Sequence, residues 1–75
     1  MKEQITAAVS AGFPGADVDT VVEGNRATIT VVSEAFEGMT RVRKQQAVYA
    51  CIQQFIADGS VHAVTIRALT PAETA

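Results

Sequence analysis

TRVRKQQAVYACIQQFIADG, residues 40–59, is the stretch that decides the architecture. Thr40 is suited to cap a helix, because its hydroxyl can accept an otherwise unsatisfied N–H of the first turn. Gly59 suits the other end, where a residue without Cβ enters left-handed backbone cheaply. Between them Val42, Val48, Tyr49, Ile52, Phe55 and Ile56 recur at helical spacing and predict a buried stripe on a helix from Arg41 to Asp58. Fully burying a large apolar side chain is worth about 1.5–3 kcal/mol, so this helix is expected to be the main support of the fold.

Working outward, the residues before it read as strands. In Ala27–Ser33, Ala27, Ile29 and Val31 alternate with Thr28 and Thr30, the pattern of a sheet with one solvated face. Glu23-Gly24-Asn25-Arg26 is a short turn leading back to a strand over Asp17–Val22, with Val18, Thr20 and Val22 expected inward. Earlier still, Ile5, Ala8, Val9 and Gly12 mark one face of a helix over Lys2–Gly12, stopped by Gly12 and Pro14-Gly15. Glu34 to Met39 is a connector with a glycine turn. Beyond the long helix, Val61–Leu69 is a third strand, ended by Thr70-Pro71-Ala72. The expected order is α-β-β-α-β. It describes one small α/β (α+β) domain over residues 1–75, a three-stranded sheet with helices on one face, and leaves the direction of the third strand open.

Composition narrows the function classes. Seventy-five residues allow one core, and 48 % hydrophobic with 19 % charged residues is the balance of a folded chain. A net charge of −2 argues against a general nucleic-acid coat, although a local basic patch is compatible with it. The single cysteine, Cys51, excludes an internal disulfide, and no apolar run approaches the ~20 residues of a membrane span. A cytoplasmic protein without a membrane partner is expected.

Catalysis finds little support: the eight carboxylates are scattered, no Ser-His-Asp set is suggested by spacing, and no phosphate-cradling glycine loop is present. No enzyme is expected. Three features remain as candidates. His62 follows the Gly59-Ser60 turn with the parity of Val64, Ile66 and Ala68. It reads either as a partly buried histidine satisfied by carbonyls or as a metal ligand, and in the second case other ligands must come from another molecule. Cys51 falls on the buried side of the long helix and reads as a small hydrophobe. Arg41, Arg43 and Lys44 place three of six basic residues on a helix start, where the macrodipole is already positive. They read as a site for a phosphate or an acidic partner, or as a solvated face neutralised by Glu34 and Glu37.

The run Phe36-Glu37-Gly38-Met39-Thr40-Arg41-Val42-Arg43-Lys44-Gln45-Gln46-Ala47-Val48-Tyr49 resembles the BolA family, and within it the IbaG-like branch. Val61-His62-Ala63-Val64-Thr65-Ile66 and Thr70-Pro71-Ala72-Glu73 match further elements of that family, so the resemblance covers roughly Val18 to Glu73. It implies a fold like the class II KH domain, with a three-stranded mixed sheet. It also implies a monothiol glutaredoxin as partner and a [2Fe-2S] cluster shared with the glutaredoxin and glutathione. The resemblance makes His62 a cluster ligand, and it associates the chain with stress response and transcription regulation. Further implied partners are DNA, contacted by Arg41, Arg43 and Lys44, and a second copy in a homodimer. One departure stands out: Arg26 occupies the place where the family often has a second ligand, in the loop between the first two strands.

Overall fold

The computed structural model describes residues 1–74. Helix α1 (Lys2–Gly12) is followed by strands β1 (Asp17–Glu23) and β2 (Arg26–Val32), helix α2 (Arg41–Ala57) and strand β3 (Ala63–Leu69). Short 3-10 turns occupy Glu34–Phe36 and Pro71–Thr74. The sheet order is β1-β2-β3, antiparallel between β1 and β2 and parallel between β2 and β3. The expected order and mixed sheet are observed.

The hairpin joining β1 to β2 has a two-residue turn. Its last pair is Glu23 with Arg26, and Gly24 takes φ +61 at the first central position. Asn25 keeps a non-positive φ, the combination of a type II′ turn, whose twist matches the flanking strands. Parallel pairing of β2 with β3 requires a long crossover, and α2 provides it.

Both helices pack on the sheet face formed by Ala27, Ile29 and Val31, all at most 2 % exposed. Ile5 and Val9 come from α1, Val48 and Ile52 from α2, and Thr20 from β1, flanked by half-buried Val18 and Val22. The inward parity expected for β1 is therefore the observed one. Thr20 is polar in apolar surroundings, and its hydroxyl lies 2.9 Å from that of Thr6 on α1, which satisfies it.

One position of the expected α2 stripe is corrected. Val42 was expected in the stripe of α2 and is 64 % exposed, whereas Lys44 is buried at 9 %. The inward position of the first turn of α2 meets the C-terminal segment, where Lys44 Nζ reaches Glu73 Oε1. The Glu34–Met39 connector, in turn, holds the largest fully buried side chain, Phe36. Its ring packs on Phe13 with centroids 4.9 Å apart, closing the end of the core opposite the hairpin. A loop residue carries no periodic signal that would have marked it.

Gly12 also acts differently from its expected role as a left-handed stop. The positive φ belongs to Gly15, at +83. Gly12 is the point where α1 meets α2, and a Cβ there would lie 2.6 Å from Cys51 Sγ.

Candidate functional site

His62 stands between an anchor and a hydrogen bond. Helix α2 ends with Asp58 at the cap, Gly59 at φ +80 reverses the chain, and Ser60 N–H donates to Asp58 Oδ1 at 2.8 Å. The Ser60 hydroxyl, and after it that main-chain bond, hold the Asp58 carboxyl below its ordinary value. Val61 is then buried at 2 %, and its N–H donates to Phe55 O at 3.1 Å. The next N–H, that of His62, donates to Asn25 O in the hairpin turn at 2.8 Å, and Ala63 N–H reaches the same carbonyl at 3.3 Å. The backbone of His62 is thus fixed from both sides.

Its side chain is free. His62 is exposed, and among the described residues the imidazole makes no hydrogen bond or ion pair. The reading of a partly buried histidine satisfied by carbonyls is corrected: only its main chain meets a carbonyl. An exposed imidazole on a clamped backbone presents a nitrogen lone pair to whatever docks at this end of the sheet.

Arg26 does not share that position. It pairs with Ala63 in register, one residue on from His62, and alternates with Ala27, which faces the helices. Its side chain therefore belongs to the open face of the sheet. Asn25 is the hairpin residue beside His62, through its carbonyl. Sequence reading missed it, because a backbone contact across a sheet leaves no residue-type signal.

Cys51 lies elsewhere. Its thiol donates to Ala47 O at 3.6 Å and packs against Gly12, and burial pushes its pKa up. It is a packing residue of the helix contact, as its spacing suggested. No cluster of three His, Cys, Asp or Glu side chains suited to a metal occurs among the described residues.

The basic helix start divides. Arg41 and Arg43 are exposed, and among the described residues neither meets Glu34, Glu37 or any other carboxylate. Lys44 turns inward, and its Nζ donates to Glu73 Oε1 at 2.8 Å. The same Glu73 oxygen accepts Thr70 N–H at 2.7 Å, while Thr70 Oγ1 accepts Glu73 N–H at 3.3 Å. Thr70-Pro71-Ala72-Glu73 is thus a capping box with proline at the first helical position. The T-x-x-E spacing was the available signal for this unit. Thr40 caps α2 as expected, its Oγ1 accepting Arg43 N–H at 3.2 Å.

A three-stranded α-β-β-α-β domain with one exposed histidine clamped beside its hairpin is the class of protein that fold and site define. Residues 18–73 match the family model described as BolA-like protein, and the chain belongs to the BolA-like family. It is 45 % identical over 71 residues, covering 95 % of this chain and 86 % of the relative, to a protein of Acinetobacter guillouiae described as an uncharacterized protein in the rpoN-murA intergenic region. It is 49 % identical over 53 residues to the acid stress protein IbaG of Escherichia coli K12, covering 71 % of this chain and 63 % of that protein, slightly under two thirds of its length. These likenesses support the IbaG-like branch. In fold it is similar to the BolA domain of SufE1 from Arabidopsis thaliana, with a TM-score of 0.87 at 22 % identity over 96 % of this chain and 93 % of that one.

Proposed function

We propose that this BolA-like protein is a non-catalytic adaptor that binds a monothiol glutaredoxin and takes part in iron–sulfur cluster trafficking or iron and redox regulation. The observation that carries this reading is the exposed imidazole of His62, unengaged by the chain's own described side chains and carried on a main chain whose N–H donates to the Asn25 carbonyl. A [2Fe-2S] centre is bound by thiolates, with imidazole replacing some of them in certain proteins. This chain offers one imidazole at the site and a thiol that is packed away. The donor set therefore fits a shared cluster only, in which the glutaredoxin and glutathione supply the thiolates. Such a cluster would supply electron-transfer and transfer chemistry. This chain's part would be to offer one imidazole from a fixed main chain. The acid-stress description of the relative from Escherichia coli supports a stress-related setting.

The test is an anaerobic mixture of the chain with a monothiol glutaredoxin, glutathione, iron and sulfide, followed by native mass and visible circular dichroism. A heterocomplex is expected whose spectrum differs from that of the glutaredoxin alone and changes on His62→Ala, but not on Cys51→Ser. A heterocomplex with an unchanged spectrum in His62→Ala would remove His62 as ligand. Equal complex formation without iron would leave a plain protein-interaction module.

A further inference from the structure

Strand β3 is an edge of the sheet, with no strand beyond it among the described residues. Leu69 O accepts Ser33 N–H at 3.0 Å, and Ala63 N–H donates to Asn25 O at 3.3 Å, so the odd-numbered residues of β3 aim their backbone groups at β2. In a parallel ladder the alternate residues aim the other way, which leaves the N–H and C=O of Val64, Ile66 and Ala68 pointing outward. An edge of this kind is a template for another strand.

The surface beside it is shaped and charged. Val64 and Ile66 form, with Tyr49, Gln45 and Gln53 of α2, a groove of about 480 Å³. The groove runs on into a second depression of about 300 Å³ that includes Arg41, Arg67 and Ala68. Neither arginine meets a carboxylate among the described residues, and Glu73, the carboxylate nearby, is held by Lys44 and Thr70. Pairing β3 with β3 of a second copy would place Arg67 of both copies on one short ladder, and like charges across strands are unfavourable. The charge instead matches an acidic strand.

We propose that the free edge of β3 takes an extended acidic segment of a partner protein as a fourth strand. The segment's apolar side chains lie against Tyr49, Val64 and Ile66, and its carboxylates meet Arg41 and Arg67. Main-chain bonds give affinity, and the groove and the arginines give selectivity. The inference uses neither His62 nor iron, so it stands or falls apart from the cluster reading.

The test is residue-resolved amide exchange of the isotope-labelled chain. The probe is a synthetic heptapeptide of alternating valine and threonine with two glutamates at one end, beside a counterpart carrying lysines. With the glutamate peptide, exchange at Val64, Ile66 and Ala68 should slow about tenfold or more, while Thr65 and Arg67, already in the ladder, stay as they were. The lysine peptide should bind about tenfold more weakly, and the double variant Arg41→Glu/Arg67→Glu should reverse the preference. Unchanged exchange at those three amides under millimolar glutamate peptide overturns the proposal. So does equal protection by both peptides. Concentration-dependent protection in the chain alone would assign the edge to a second copy, and would overturn it as well.

Discussion

Lys44 on the first turn of α2 and Glu73 in the C-terminal capping box are joined by a 2.8 Å ion pair that fastens the end of the chain to the long helix. The lysine side chain is 11 % exposed and the glutamate 46 %, so the cation sits in the fold while the anion reaches in from the surface. The Lys44 ammonium and the Thr70 N–H hold the Glu73 carboxyl at about 2.

That pair sets a pH dependence. A carboxyl whose folded value lies below its unfolded value stabilises fully above the unfolded value and loses that contribution as pH falls through the folded one. For Glu73 the window runs from 4.5 down to about 2. Acid unfolding of Glu73→Gln, followed by far-ultraviolet circular dichroism, should show lower stability at neutral pH and a shallower loss across that window. An unchanged slope would show that the pair does not form in solution.

Phe36 tests the closure of the core. Removing a fully buried phenylalanine costs about 3–5 kcal/mol, a large part of the stability of so small a domain. Phe36→Ala should therefore leave the chain largely unfolded at 37 °C, or shift its urea midpoint strongly downward. Phe36→Leu should retain most of the fold.

Gly12 and Cys51 are coupled by contact. A Cβ at residue 12 would meet Sγ at 2.6 Å, and overpacking typically costs about 1–3 kcal/mol. Gly12→Ala should destabilise by that order in urea titrations, and Gly12→Ala/Cys51→Ala should recover part of the loss. Additive single effects would mean that the helices do not touch there.

His62 should separate function from stability. Because its side chain is exposed and makes no bond to the described residues, His62→Ala should change unfolding free energy by less than about 0.5 kcal/mol. The main-chain bond to Asn25 survives the substitution. Hydrogen exchange at residue 62 should stay slow while the cluster spectrum changes.

Thr40 is a simple check on α2. Thr40→Ala removes the acceptor for Arg43 N–H and should cost about 1 kcal/mol, readable as a lower thermal midpoint; Thr40→Ser should be close to neutral.

The sequence by itself determined the elements, and did so through periodicity and stop signals. The two-residue alternation of Ala27, Ile29 and Val31, the cap at Thr40 and the reversal at Gly59 are local in origin, so a linear reading finds them. His62 was visible too, as a lone imidazole in a motif. Only the tertiary structure decided which side chains those elements bury at their ends. Val42 and Lys44 exchange places because the inward side of that turn meets Glu73, twenty-nine residues on. Phe36 fills the core from a loop, and Asn25 is set against His62 by strand register rather than by its side chain. Burial, pairing and the free edge of β3 depend on what lies across a gap in space. The physical cause is that residue spacing encodes the direction of a side chain along its own element, while the neighbour it meets is chosen by how the elements pack.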